Sequence, residues 1–294
     1  MNSLDLWLAR SVLVIQYAAA LAALAIPLSL SLRVNKFLNF HLASTYIAGG
    51  YLAYVGSKLS TDVALAFSFS VLAASIVGGS LSVLLLMLNE NIGIETAPAD
   101  AHLVFSLFLF LAVQALAVAV FGPRTLLAAT AEQAGAETLG VARWAVVSFV
   151  ILGLGCLKLL RNTLFGLRWV AAADNPSLAA DQGIPVTRLR RQTAMAAGAA
   201  TAFAGCLQAW DTGVQPYSNL FLNAVFGLLA GGAFSPLGAA AGCLILATVR
   251  QTSFGLNVYR GEEVLIALCL ICILVVRPRG LFPTKSRTGD LISE

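Results

Sequence analysis

Charge is what this sequence has least of. Asp, Glu, Lys and Arg make up 11% of its 294 residues, against about 25% in soluble domains. A soluble fold of this length could not cover the 59% of residues that are hydrophobic, whereas a bilayer accepts them as solvent. Only two histidines occur, and no cluster of His, Cys and carboxylates suited to a metal is apparent, so neither metal nor cofactor is expected. No nucleophile–base set and no Gly-x-x-x-x-Gly-Lys-Ser/Thr loop is present. The chain is therefore not expected to be an enzyme, and any ATP it uses must be hydrolysed by another subunit. Residues 1–9 lack a basic start, so the first apolar run is expected to stay as a helix rather than leave as a signal. The small basic excess, +4, needs no nucleic acid, because membrane proteins keep Lys and Arg on their cytoplasmic loops.

The charge-poor runs mark the spans. Runs at 11–32, 37–57, 63–89, 103–123 and 192–210 each lie near the roughly 20 residues that a helix needs to cross the hydrocarbon. Those at 144–157 and 264–276 are shorter and should extend past a flanking charge that snorkels. The run 212–249 is too long for one span and holds Gly227, Gly231, Gly232, Pro236, Gly238 and Gly242. It should be two helical pieces meeting near 231–236, where non-helical backbone must be buried or line a wet cavity. The expected fold is an all-α integral membrane protein with about eight transmembrane helices and at least one Gly/Pro-broken segment. It forms one domain over 1–294, with a polar loop at 158–191 and a short tail at 277–294. The five cysteines, Cys156, Cys206, Cys243, Cys269 and Cys272, all sit in apolar runs and read as small core residues. Cys269 and Cys272 have a redox or metal spacing but no activating charge beside them.

Orientation follows from the basic residues. Twelve of the eighteen fall on one side if the 158–191 loop, the 277–294 tail, Arg33 and Lys36 are cytoplasmic. The N-terminus is then outside. The loop at 89–101 is the exception, since it should be inside yet carries Glu90, Glu95 and Asp100 with no basic residue.

The most informative loop runs from Asp174 to Pro185. Asn175 suits an N-cap and Pro176 the first helical position. Gly183 can take the left-handed conformation that ends a helix, and Pro185 stops continuation. A short helix at 176–182 is expected outside the membrane, with Ala179 and Ala180 small enough to fit a groove. An ordinary capped loop helix would read the same way.

Thr163 to Gly166, followed by the stretch through Gly183 and Ile184, resembles the coupling loop of the branched-chain amino-acid permease family of ABC importers. Three further segments are similar to that family in the same order along the chain. They are Leu38, Asn39 and Phe40 with Gly49, Gly50 and Tyr51; Gly231 to Ala239; and Arg277 to Phe282. The resemblance implies that Asp174, Asn175, Pro176, Ala179, Ala180 and Gly183 belong to a loop that docks on an ATPase. It implies as partners a second homologous permease chain, two cytoplasmic ATPase subunits and an external binding protein, with the chain in a bacterial inner membrane. The implied substrates are branched-chain or other small amino acids; urea, short amides and sugars are the alternatives within the same superfamily. Departures are visible. His41 stands one place earlier than the family's histidine, the following glycine is absent, Val170 replaces a basic residue, and the 89–101 loop is acidic.

Polar residues inside spans are candidates for a transport path. Asn39 and His41 in the second span, and Asn223, Gly231 and Gly232 in the broken one, combine polar groups with small residues. A loose echo links them, because Leu-Asn is followed by Ala-Gly-Gly in both segments. The two are expected to face each other or a shared cavity near mid-membrane. Helix-to-helix bonding is the other role open to His41, Gln16 and Gln114. A stand-alone channel or secondary transporter is the rival class, and it would call for a buried Asp or Glu that these spans do not contain.

Overall fold

The computed structural model describes residues 3–59, 62–91, 99–128, 136–216, 219–255, 262–278 and 280–282. Among these the chain is helical, and the only β pairing is an isolated antiparallel bridge between Leu126 and Val214. Eleven helices occur in order: α1 (Ser3–Asn35), α2 (His41–Leu59), α3 (Val63–Asn91), α4 (Ala99–Phe121), α5 (Ala136–Leu160), α6 (Leu164–Asp174), α7 (Pro176–Asp181), α8 (Val186–Thr212), α9 (Asn219–Gly231), α10 (Pro236–Gly255) and α11 (Glu262–Val276).

Among the described residues four helices are long and apolar enough to cross a membrane, α1, α3, α4 and α5, and a fifth span is counted if α9 and α10 are one bent element. The sequence expectation of about eight differs for a physical reason. Helices α2 and α8 are rich in Ala, Gly, Ser and Thr and lie at the centre of the bundle, packed on each other and on α3. Surrounded by protein, they need no lipophilic surface. By contrast α3, α4 and α5 expose Leu72, Ile76, Phe108, Leu116, Ile151 and Leu152 outward.

Close approach holds the centre together, as small residues do between membrane helices. A Cβ on Gly49 of α2 would overlap the Ala202 carbonyl of α8, and one on Gly205 of α8 would overlap the Tyr46 carbonyl of α2. Between them Thr45 and Thr201 share a buried hydroxyl contact of 2.5 Å. The second close-packed unit is the α9–α10 pair, which turns through 116° between Gly231 and Pro236. There Gly231 backs directly onto Gly238 and Gly242. The segment after α11 seals this bend. Leu281 and Phe282 donate their backbone N–H groups to the carbonyls of Ala230 and Gly231, at 3.0 and 2.9 Å. Those are last-turn carbonyls of α9 that have no partner within the helix.

Of the five cysteines, Cys206 and Cys243 are buried as expected, but Cys156 and Cys272 are exposed on the outer surface of the bundle. A thiol is apolar enough for that surface.

Candidate functional site

Two regions at opposite ends of α1 hold the candidate chemistry. The first is the loop between α5 and α8. Asn175 caps α7, its side chain accepting from the Leu178 N–H at 3.2 Å, and Pro176 fills the first turn. At the other end Gly183 adopts φ +79. Its N–H reaches the Ala180 carbonyl at 2.9 Å, while the Ile184 N–H reaches Ala179 at 3.0 Å. That pair of bonds is the Schellman ending, for which glycine is favoured. The sequence did not foretell α6, which is capped by Thr163 accepting from the Gly166 N–H at 3.2 Å. Thr163 ahead of a Leu-Phe pair was a local signal for it.

Ala179 is not available to fit a groove on a partner. It is buried with Ala172 and Leu189 in a small core that Ile184 and Val186 complete. The Schellman ending itself causes this, since it folds Ile184 back onto Ala179. Ser177, Leu178, Ala180 and Asp181 form the exposed face instead. The loop is anchored to the α1–α2 turn. Arg33 pairs with Asp174 at 3.3 Å and lies over the Trp169 ring at 5.5 Å. Lys36 donates to the Ala173 carbonyl. Burial pushes the Lys36 ammonium below its ordinary value, against the pull of Asp174. Glu90 reaches Arg191 at 3.5 Å, so the acid that opens the 89–101 loop is matched to the basic start of α8. Glu95 lies outside the described residues.

Asn39 and His41 belong to this same end. Asn39 donates to Ser31, close to Arg33 on α1. His41 is fully buried where α2 begins, its Nε2 3.3 Å from the Ser82 hydroxyl of α3. Asn35 Oδ1, Asn39 Oδ1, His41 Nδ1 and Ser44 Oγ have no hydrogen-bond partner.

The second region is a cavity of about 490 Å³ at the other end. Asn223 borders it and donates to the Tyr17 hydroxyl at 3.3 Å. Tyr17 and Ser31 are fourteen residues apart on α1, roughly 21 Å at 1.5 Å per residue. The two segments do meet, since Phe40 lies against Phe221 with ring centroids 6.2 Å apart and Tyr46 and Gly50 border the cavity with Asn223. Asn39 and Asn223 themselves lie at different depths, and Asn39 and His41 do not border the cavity. Gly231 and Gly232 lie at the α9–α10 bend, packed against Gly238, Gly242 and Gly280, and do not border it either. Linear likeness between the two segments said nothing about depth.

Four charged side chains border the cavity: Arg143, Asp211, Arg250 and Glu263. Arg143 Nε donates to Asp211 at 2.7 Å. The guanidinium carbon of Arg250 lies over the Tyr17 ring, 4.2 Å from its centroid. Glu263 accepts from Asn219 at 2.6 Å. In the sequence these charges read only as the ends of spans. The signal available was that all four flank apolar runs on the side away from the 158–191 loop. Gln16, Gln208 and Gln251 add uncharged donors and acceptors. Such a concave site, part apolar and part polar with convergent charges, is suited to holding a small polar molecule.

Residues 11–274 match the family model described as branched-chain amino acid transport system / permease component. No curated protein and no solved structure matches the chain.

Proposed function

Because this chain belongs to the family of permease components of branched-chain amino acid transport systems, we propose that it is the membrane-spanning subunit of an ATP-binding-cassette importer for small amino acids. It is a multi-pass membrane protein with permease character. In this reading α2, α8 and the bent α9–α10 pair cross the membrane or enter it along with the apolar helices, giving about eight spans. The 158–191 loop and the tail face the cytoplasm of a bacterial cell, and the N-terminus faces outside. The partners are a second homologous permease chain, two ATPase subunits and an external binding protein.

One observation supports this most. A short, doubly capped helix projects from the end of the bundle opposite the cavity and is tied to the α1–α2 turn by Arg33, Asp174 and Lys36. A push on α7 would therefore move α1, a helix that also borders the cavity. The test is ATP-driven uptake into proteoliposomes holding the co-purified complex. Uptake of a labelled branched-chain amino acid that needs ATP and a co-purifying ATPase supports the reading; uptake without any ATPase partner sinks it in favour of a channel or secondary transporter.

A further inference from the structure

We propose that a groove between α1, α5, α6 and α8 holds one anionic phospholipid from the leaflet next to the 158–191 loop. An acyl chain lies along the groove and the phosphate sits at Arg161. The inference needs only that the chain spans a bilayer, so it stands apart from the importer reading.

The first argument is the wall. The groove has a volume of about 370 Å³. Ile26 and Leu30 come to it from α1, Gly153 and Leu157 from α5, and Ala196 and Ala200 from α8. Each pair is four residues apart and so shares one face of its helix. A polar solute against these side chains would lose its hydrogen bonds, whereas an acyl chain has none to lose. The groove is open to the outside, because Cys156 and Phe165 border it and are exposed.

The second argument is length. From Phe149 to Arg161 the α5 wall advances twelve residues, roughly 18 Å at 1.5 Å per residue. From Ala23 to Arg33 the α1 wall advances ten, roughly 15 Å. Both match one leaflet of a hydrocarbon core about 30 Å thick.

The third argument is charge, which stands at one end only. Arg33 and Arg161 border the groove, both at the loop end. Arg33 is engaged by Asp174 at 3.3 Å. Arg161 is exposed and has no ion pair among the described residues. Lys158 and Arg168 are exposed nearby, and the sequence from 158 to 173 holds no acid. A basic end that the protein leaves unmatched suits a phosphate, and basic pockets between membrane helices take anionic head groups in this way. An anionic head group neutralises Arg161, whereas a zwitterionic one brings a cation with its phosphate.

Helix α6 sets this end at the membrane surface. It buries Gly166, Ala172 and Ala173 and exposes Leu164, Phe165 and Leu167 beside Arg168. Apolar and basic side chains together on the outer side are the mark of a helix lying in the interface. Trp169 borders the groove at the same level, its indole N–H held by Thr193 at 2.9 Å, and tryptophan is enriched at that depth.

The test holds the complex of this chain with its co-purified partners in detergent with phosphatidylglycerol or phosphatidylcholine. Each lipid carries a photoreactive diazirine in the same acyl chain, and labelled peptides are read by mass spectrometry. Phosphatidylglycerol should label the α5 and α8 walls at least about fivefold more than phosphatidylcholine, the scale of one basic residue at an anionic surface. Arg161→Gln should bring the two lipids to equal labelling, and Arg161→Lys should keep them apart. Gly153→Leu should abolish labelling of the groove by both lipids. A Cβ at Gly153 meets no atom within 4 Å, so this variant should keep the wild-type melting temperature. Excess glycerophosphoglycerol, the head group without acyl chains, should not compete; competition would make this a free-phosphate site and end the proposal. Equal labelling by the two lipids in the wild type, unchanged discrimination in Arg161→Gln, or labelling that survives Gly153→Leu also overturns it. So does joining of two copies by a short bismaleimide when Cys156 is the only cysteine, which would give the groove to a second copy of this chain.

Discussion

Arg33 and Asp174, 141 residues apart in sequence, meet at 3.3 Å where the end of α1 touches the end of α6. The Arg33 side chain is largely covered while Asp174 is about 41% exposed. Such a pair adds little to stability, on the order of 1 kcal/mol or less. Its weight lies in where it is placed. Asp174→Asn should shift the melting temperature of the complex by only a few degrees yet lower solute moved per ATP hydrolysed by roughly threefold or more, the scale of a modest coupling energy. Measuring uptake and phosphate release in the same proteoliposomes checks this, and an unchanged ratio refutes it.

Ala179 and Ala180 are neighbours with opposite fates. Ala179→Glu would bury a charge in the small core with Ala172 and Leu189, which costs several kcal/mol unless paired. It should open the loop to protease. Ala180→Glu stands on the exposed face and should leave the loop resistant to protease while weakening ATPase co-purification. Equal proteolysis of the two variants would contradict the packing described for α7.

His41→Ala removes the contact to Ser82 from the buried α2–α3 seam. Loss of a buried polar partner costs about 1–3 kcal/mol, so folded yield and uptake should fall together. Uptake normalised to folded protein should stay near wild type. A fall in normalised uptake with full yield would assign His41 to the path instead.

Gly280 has φ +81 and lies against the Gly232 backbone. Gly280→Val cannot take that conformation without strain, and it would lift Leu281 and Phe282 off the α9 carbonyls. Thermal stability should drop by about 1–3 kcal/mol, read as a lower melting temperature in detergent.

Orientation is tested by Thr288→Cys in an otherwise cysteine-free chain. A membrane-impermeant thiol reagent should leave it unlabelled in intact cells and label it after lysis. Prompt labelling in intact cells would reverse the topology.

Some of this was legible without coordinates. Asn175, Pro176 and Gly183 act locally, so the sequence read α7 almost to the residue. The turn between Gly231 and Pro236 was also signalled, because proline and clustered glycine interrupt a helix wherever they stand. What depends on three dimensions was not legible. The low hydropathy of α2 and α8 is acceptable only because other helices surround them. The inward side of Ala179 follows from Ile184 folding back, not from its own identity. The cavity was missed because Arg143, Asp211, Arg250 and Glu263 come from four helices whose ends converge only after folding.

The hydrogen bonds at the two ends of α11 have a mechanical meaning. At the cavity end Asn219 of α9 holds Glu263, and at the far end the backbone of Leu281 and Phe282 holds the last turn of α9. Helix α10 is joined to α9 through the glycine-packed bend. Three helices are thus fastened in a closed ring and resist being sheared past one another. Arg250 and Glu263 ride on that ring, while Arg143 and Asp211 ride on α5 and α8 outside it. A movement that widens the cavity along that seam would leave the Arg143–Asp211 ion pair whole on one side and carry Arg250 and Glu263 together on the other.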